Sequence, residues 1–127
     1  MMPGVIVTGL IGLAGALGAL ARYLLGRFVA ERAGSPFPFG TLLINVSGAL
    51  GIGLLFSLAA RQIISSVLQS VLATGFLGGY TTFSTMSWES VQLLRGGNRR
   101  MSLLYLGASF SLGGLFVLLG FALGWII

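Results

Sequence analysis

Four long apolar stretches, separated by short connections, dominate the pattern of hydrophobic and polar positions along this chain. They cover residues 3–29, 40–60, 67–94 and 102–127, and each has the about 20 residues that a helix needs to cross a hydrocarbon core. The pattern predicts an all-α membrane protein in which a single domain, residues 1–127, forms four transmembrane helices. Together the stretches use nearly the whole chain, so no soluble domain is left to carry a separate activity.

The third stretch differs from the others because glycines and hydroxyl side chains interrupt it. Gly75, Gly78 and Gly79 are followed at once by YTTFSTMSWES over residues 80–90. In a bilayer, interrupted backbone is tolerated only where it is buried in protein or lines an ion pathway. We therefore expect the third helix to break near Gly78–Gly79. Freed carbonyls at such a break can bind a cation, whereas half-helix N-termini and hydroxyl donors suit an anion.

Side chains just beyond the predicted break are candidates for contact with an ion. Thr81 and Thr85 share one helix face, and Phe83 and Met86 are spaced to lie together. The edge of an aromatic ring carries positive charge, so Phe83 can meet an anion edge-on. Ordinary packing is the alternative role for this ring.

Polar side chains also line one face of the second stretch. Thr41, Asn45 and Gly48 follow one another at helical spacing. An amide inside the membrane costs free energy unless it is hydrogen-bonded. Asn45 therefore either forms a hydrogen bond between helices or lines a pore as a hydrogen-bond donor.

The fourth stretch carries a narrow polar strip along an otherwise apolar helix. Ser102, Tyr105, Ser109 and Gly113 recur at spacings of three and four residues, which places them on one face. Isolated serines in such helices commonly bond back to their own carbonyls. The alignment instead favours a track for a polar solute.

Composition excludes most enzymes. The chain carries a net charge of +5, with no histidine and no cysteine, and its acidic residues are the two glutamates Glu31 and Glu89. A Ser–His–Asp triad, a Cys–His pair and a thiolate metal site are all impossible with this inventory. The arginines lie mostly at the ends of apolar stretches, where they anchor the chain, so the basic charge does not indicate nucleic-acid binding. Arg22 lies inside the first stretch, where it either snorkels to the headgroups or faces a water-filled vestibule.

Three motifs resemble one known family. GTLxIN at residues 40–45, GFLGGYTTFST at residues 75–85 and Tyr105 with Ser109 are similar to those of the Fluc (CrcB) fluoride channels, as is GALARY at residues 18–23. The resemblance covers nearly the whole chain. It implies a fluoride-selective channel, and no enzyme, that exports fluoride passively through the bacterial cytoplasmic (inner) membrane. It also implies an antiparallel, dual-topology dimer with two fluoride pathways.

The resemblance further implies roles for individual residues. A structural sodium ion, which is not transported, would be held by the backbone carbonyls of Gly78 and Thr81 from each subunit. Arg22 would lie in the aqueous vestibule. The fluoride pathway would pass a set of aromatic, amide and hydroxyl side chains: Asn45, Phe83, Thr41, Ser84, Thr85, Tyr105 and Ser109.

The chain departs from the family at two positions of the implied pathway, one of them Gly113, where the family often has a serine. Where the family has a second phenylalanine, three residues after Phe83, this sequence has Met86. A thioether can line a narrow passage but offers no ring edge. Either the second ring is dispensable or conduction is altered.

Arginine is distributed unequally between the two predicted sides of the membrane. One side has only Arg61, and the other has five arginines: Arg27, Arg32, Arg95, Arg99 and Arg100. The positive-inside rule then favours one orientation, with both termini outside. An antiparallel homodimer needs a chain that inserts both ways, so we hypothesise pairing with an inverted homologue. The alternative is that charges at span ends count for less than this comparison assumes.

Two other classes of protein fit four short spans. A proton-coupled exporter of cations or drugs needs a carboxylate embedded in the membrane. The first stretch has none, and Glu31 lies beside Arg32 in a connection. A structural membrane subunit would use the same polar strips only to hold helices together.

Overall fold

The computed structural model describes residues 3–127, and the prediction of an all-α protein is confirmed. Three helices, α1, α2 and α5, are long and apolar enough to cross a membrane. Between α2 and α5, the third predicted span consists of two half-helices, α3 and α4. The bounds are Gly4–Ala33 for α1, Phe39–Ala60 for α2, residues 66–80 for α3, Phe83–Arg95 for α4 and Arg99–Ile126 for α5.

Helix α1 continues past the predicted end of the first span. Arg27 Nε donates to Glu31 Oε1 at 3.0 Å, and the Arg32 guanidinium lies 3.7 Å from the centre of the Phe28 ring. These contacts, between residues four apart, stabilise an additional exposed turn. The helix stops at Gly34, whose φ of 57° is the left-handed conformation that ends many helices.

Helix α3 packs against α1 through direct contact of their backbones. A Cβ atom at Gly75 would collide with the Ile11 carbonyl, and one at Gly79 would collide with the Gly15 carbonyl. Gly18 likewise has no room for a Cβ atom. Glycine therefore permits the two helices to approach at close range, as small residues do between helices in lipid. On α1, Gly15 and Gly18 lie at this contact.

Helices α2 and α5 form a second close pair. A Cβ atom at Gly120 would meet the Leu50 carbonyl, and one at Gly124 would meet the Ser57 side chain. Gly53, on α2, faces the α5 backbone just as closely. The order of these contacts shows that α2 and α5 run parallel to each other. The contacts of α1 with α3 have the same parallel order, in the opposite direction along the bundle.

The break in the third span lies two to three residues later than the sequence suggested. Gly78 and Gly79 are still helical, and the extended residues are Thr81 (ψ 158°) and Thr82 (ψ 118°). Gly79 permits close packing on α1, whereas hydrogen bonds to Thr82 interrupt the helix. Before the break, residues Ser70–Leu77 form a π-helical segment, in which the Gly78 N–H donates to the Ala73 carbonyl five residues back. The sequence did not predict this segment.

The buried core is small, and most large apolar side chains face outward. Met86, Leu93 and Tyr105 form the buried cluster where α4 meets α5. In contrast, Leu13 is 61% exposed and Leu118 is 69% exposed. An apolar exterior of this kind fits a bundle that is surrounded by lipid.

Candidate functional site

The break in the third span is held by the side chain of Asn45 on α2. Asn45 Nδ2 donates to the Thr82 carbonyl at 2.9 Å, and the Thr82 N–H donates to Asn45 Oδ1 at 2.9 Å. The amide therefore satisfies both backbone groups of one extended residue. An amide nitrogen carries two hydrogens, and only one of them is bonded within residues 3–127. Asn45 thus joins α2 to the break by hydrogen bonds and keeps one amide hydrogen free to donate.

Thr82 organises the start of the second half-helix. Its Oγ1 accepts from the Thr85 N–H at 3.1 Å, which caps α4. The same hydroxyl lies 3.1 Å from Thr85 Oγ1 and 3.3 Å from Ser84 Oγ. Three hydroxyls therefore gather at the N-terminus of α4, where the helix dipole is positive. Thr82 was not among the predicted site residues, although its position before an apolar helical run is typical of an N-cap.

The same hydrogen bonds release the two carbonyls that were predicted to bind a cation. In a continuous α-helix the Gly78 carbonyl would accept from the Thr82 N–H, but that N–H is donated to Asn45. Likewise, the Thr85 N–H that would bond the Thr81 carbonyl is donated to Thr82 Oγ1. Both carbonyls therefore lack their helical partner. The chemistry of this donor set fits a hard cation such as sodium, which prefers oxygen ligands.

Arg22 lies at the same break. Its Nε donates to the Gly79 carbonyl at 3.2 Å, which satisfies one of the carbonyls left free at the end of α3. The side chain is partly buried and also lines the polar cleft described next. Arg22 therefore joins α1 to the break and faces a cavity, and its Nε is not directed to the headgroups.

A cleft of about 660 Å³ opens between α1, α2 and α4 at the end of the bundle where α1 stops. Its walls bring together several polar side chains that are far apart in sequence. Those that bear on ion binding are Arg22, Thr41, Thr82, Thr85 and Glu89. The predicted vestibule arginine and two predicted pathway threonines, Thr41 and Thr85, thus line one cavity.

Tyr105 connects α5 to the wall of this cleft. The residue is completely buried, and its hydroxyl donates to Glu89 Oε1 at 3.0 Å. The ring of Phe37, from the α1–α2 connection, meets the Tyr105 ring edge-on at 5.6 Å. Glu89 was not among the predicted site residues. The signal for it was its position as a carboxylate inside an apolar span.

The polar strip on α5 divides into bonded and unbonded hydroxyls. Ser102 is buried, and its Oγ donates to the Ser90 carbonyl at 2.9 Å, so it joins α5 to α4. Ser109 is 9% exposed, and its Oγ has no hydrogen-bond partner in the described part of the chain. A buried hydroxyl without a partner costs free energy, so Ser109 is available to bind a polar solute.

Phe83 and Met86 have different surroundings although they are three residues apart on α4. The Phe83 side chain is 71% exposed, whereas Met86 is 5% exposed and packs in the cluster with Leu93 and Tyr105. Phe83 is therefore free to meet a second chain or an ion. Met86 fills the interior beneath it.

The fold and this site define a multi-pass α-helical membrane protein with a broken helix and buried polar side chains at its centre. The family model described as "CrcB-like protein, Camphor Resistance (CrcB)" matches residues 9–121. The chain belongs to the CrcB family.

Named relatives support this assignment over nearly their whole length. The "Fluoride-specific ion channel FluC" of Acidobacterium capsulatum is 44% identical over 115 residues, which cover 90% of this chain and 92% of the relative. The protein of the same name from a strain of Thermus thermophilus is 44% identical, covering 91% of each chain. That of Clostridium perfringens is 42% identical, covering 87% of this chain and 88% of the relative.

Proposed function

We propose that the chain is the subunit of a fluoride-selective channel that lowers cytoplasmic fluoride by passive export. The observation that carries the proposal is the break at Thr81–Thr82, where Asn45 holds the backbone open beside a cluster of hydroxyls. The same chain matches relatives named fluoride-specific ion channel along about 90% of its length. The protein is a channel and not an enzyme.

The donors at the break suit fluoride in particular. Fluoride is small and strongly hydrated, so a pathway must replace its water with several hydrogen-bond donors. The unbonded amide hydrogen of Asn45, the Ser109 hydroxyl and the edge of the Phe83 ring supply donors without a fixed positive charge. A fixed charge would bind the anion well and release it slowly. Other polar side chains extend the pathway: Thr41, Ser84, Thr85 and Tyr105.

Met86 belongs to the proposed pathway only as the residue behind Phe83. Its side chain is nearly fully buried against Tyr105. A flexible thioether adapts to irregular packing, so Met86 can support the Phe83 ring and the Tyr105 ring together. This arrangement favours a pathway with one exposed phenylalanine in each subunit.

The carbonyls of Gly78 and Thr81 would hold the structural sodium ion. Both lose their helical donors to Asn45 and Thr82, and the ion would supply the positive charge that neutralises these carbonyl dipoles. A test is thermal unfolding of the purified channel in sodium chloride and in N-methylglucamine chloride at the same ionic strength. A melting temperature that rises only with sodium supports the site, and equal melting temperatures contradict it.

A second chain would complete the site. The Phe83 ring is exposed in the single chain and the interrupted backbone at Thr81–Thr82 is only partly buried, and a partner would cover both in an antiparallel dimer. Five arginines mark the end of the bundle that contains the α1–α2 and α4–α5 connections, and Arg61 lies at the other. This asymmetry supports one fixed orientation in the bacterial cytoplasmic membrane. It therefore favours an inverted homologue as partner over a second copy of this chain.

The test is fluoride efflux from liposomes that contain only the purified chain, with chloride efflux as the control. Fast fluoride release without chloride release from this chain alone would support the channel and would show that the chain suffices as a homodimer. Release that appears only when an inverted homologue is added would support the mixed dimer. Absence of fluoride release under both conditions would contradict the proposed function.

A further inference from the structure

The turn between α4 and α5 carries positive charges that have no partner in the described structure, residues 3–127. Four of the seven arginines contact acceptors or aromatic rings: Arg22, Arg27, Arg32 and Arg61. The other three lie together around this turn and are exposed: Arg95, Arg99 and Arg100. Within the same residues no carboxylate forms an ion pair with any of these three. Three neighbouring exposed cations without a counterion form a positively charged surface that an anionic headgroup would complement.

An apolar groove leads away from these arginines along the outer face of α5. Arg99 and Arg100 line the end of the groove nearest the turn, and the groove is an open depression of about 720 Å³. Its remaining lining is Leu103, Leu104, Gly107, Ala108 and Ser111. Leu103 is 60% exposed and Leu104 is 58% exposed, so these walls are open to whatever surrounds the bundle.

The dimensions of the groove match one leaflet of a bilayer. At about 1.5 Å per residue, the distance from Arg99 to Ser111 along the helix is about 18 Å. That is roughly half of the about 30 Å hydrocarbon core. Gly107 faces open space in this groove, because a Cβ atom at this position would meet nothing within 4 Å.

The groove is separate from the proposed fluoride pathway. Tyr105 and Ser109 are buried on the opposite face of α5, whereas Leu104 and Gly107 are exposed. A ligand in the groove would therefore not block the polar strip. It would contact the same helix from the lipid side.

We propose that Arg99 and Arg100, with the groove below them, bind an anionic phospholipid of the surrounding bilayer. The guanidinium groups would contact its phosphate, for which arginine offers paired donors. One acyl chain would lie along Leu103, Leu104 and Gly107. Basic groups next to transmembrane helices bind anionic headgroups in this way. The site would fasten the arginine-rich end of the bundle to the membrane, independently of ion conduction.

The experiment is native mass spectrometry of the detergent-purified chain with phosphatidylglycerol or with phosphatidylcholine of the same acyl chains. We expect selective retention of phosphatidylglycerol. Removing both arginines (Arg99→Gln with Arg100→Gln) should weaken this binding about thirtyfold, since each contributes about fivefold near an anionic surface. The charge-matched control, Arg27→Gln with Arg32→Gln, removes two arginines from the same end of the bundle and should retain the lipid.

A second pair of variants tests the groove without changing charge. Gly107→Leu fills the groove and should reduce retention of phosphatidylglycerol. Gly114→Leu adds the same side chain where there is equal space, outside the groove, and should have no effect. Inorganic phosphate should not displace the lipid, because it cannot occupy the apolar walls.

Several outcomes would overturn the proposal. These are equal retention of both lipids, equal loss in the two arginine pairs, or displacement of the lipid by inorganic phosphate. A change of oligomer mass on Gly107→Leu without loss of lipid would identify the groove as a contact between copies. If the double variant does not fold, the salt dependence of the wild-type chain tests the proposal instead. Its phosphatidylglycerol binding must weaken with added salt, because salt screens the arginine charges. Fluoride efflux from phosphatidylcholine liposomes is measured separately, so failure of the lipid site is distinct from failure of the channel.

Discussion

Asn45 and Thr82 are joined by two hydrogen bonds of 2.9 Å that run in opposite directions between one side chain and one residue's backbone. The side-chain oxygen accepts from the Thr82 N–H, and the side-chain nitrogen donates to the Thr82 carbonyl. Backbone inside the membrane that is not part of a helix must find such partners. Asn45 therefore stabilises the break itself, and its substitution should affect both structure and conduction.

Asn45→Ala removes both partners of Thr82 and should lower the free energy of unfolding by about 2–3 kcal/mol, at about 1–1.5 kcal/mol for each hydrogen bond. It should also abolish fluoride efflux. Asn45→Asp keeps the acceptor for the Thr82 N–H but loses the donor and adds negative charge. We expect it to be more stable than the alanine variant and equally inactive. Thermal unfolding in detergent and liposome efflux measure the two properties. An alanine variant with unchanged stability would contradict the structural role.

Ser109 and Ser102 differ in what their hydroxyls bind, although both belong to one strip on α5. Ser109→Ala removes a hydroxyl that has no partner in residues 3–127, so stability should hold while fluoride efflux falls. Ser102→Ala breaks the bond to the Ser90 carbonyl and should cost about 1 kcal/mol. Thermal unfolding and efflux of the two variants distinguish a hydroxyl that lines the fluoride pathway from one that holds two helices together. A Ser109→Ala variant with wild-type efflux would remove this hydroxyl from the pathway.

Phe83→Ile should reduce fluoride efflux sharply and leave the assembled dimer intact. The ring is 71% exposed in the single chain, so folding of the subunit depends little on it, whereas isoleucine lacks the polarised ring edge. Cross-linking or mass measurement of the purified protein checks assembly, and liposome efflux checks conduction. Undiminished efflux would show that Phe83 lies outside the pathway.

Met86→Phe should not add a second pathway ring. Met86 is only 5% exposed in a packed cluster, and a larger rigid ring there should destabilise the fold by about 1–3 kcal/mol. Met86→Leu conserves volume and serves as the control, with a cost below about 1.5 kcal/mol. Unfolding midpoints give the comparison. Faster efflux from a fully stable phenylalanine variant would instead mean that this position faces the ion.

Glycines that look alike in the sequence should respond differently to alanine. Gly79→Ala places a Cβ against the Gly15 carbonyl, and we expect a loss of about 1–3 kcal/mol from overpacking. Gly9→Ala meets open space and should be neutral or stabilising by about 0.5–1 kcal/mol, since alanine is the better helix former. Both lie in transmembrane helices, so the comparison isolates packing. Equal unfolding midpoints for the two variants would contradict the backbone contact between α1 and α3.

The number and type of the helices could be predicted from the sequence, because apolar length alone decides which segments can cross a bilayer. The exact break could not. Gly78 and Gly79 predicted it by local conformational preference, but Gly79 serves packing against α1, and a side chain from α2 opens the helix at Thr82. The position of the break therefore depends on contacts between residues far apart in the chain.

Motifs in the sequence pointed to candidate site residues. They did not show which residues these side chains contact, because those contacts depend on tertiary packing. Asn45 forms the hydrogen bonds between helices that were one of its two predicted roles, and its place in an ion pathway, like that of Ser109, stays a prediction. The two roles considered for Arg22 did not include its hydrogen bond to the Gly79 carbonyl. Nor could spacing reveal that Tyr105 donates to Glu89, since the partners lie on different helices and only packing brings them together.

The two glycine-mediated helix pairs have a mechanical consequence. Because α1 touches α3, and α2 touches α5, mainly through main-chain atoms and small side chains, these contacts contain little that could rearrange. Each pair should therefore move as one rigid body. Asn45 belongs to the α2–α5 pair, and Thr82 directly follows the α1–α3 pair. The boundary between the two pairs therefore runs through the break at Thr81–Thr82. The hydrogen bonds of Asn45 and the contact of Gly40 with the Gly26 backbone both cross this boundary, so any gating of the ion would have to occur by sliding along it.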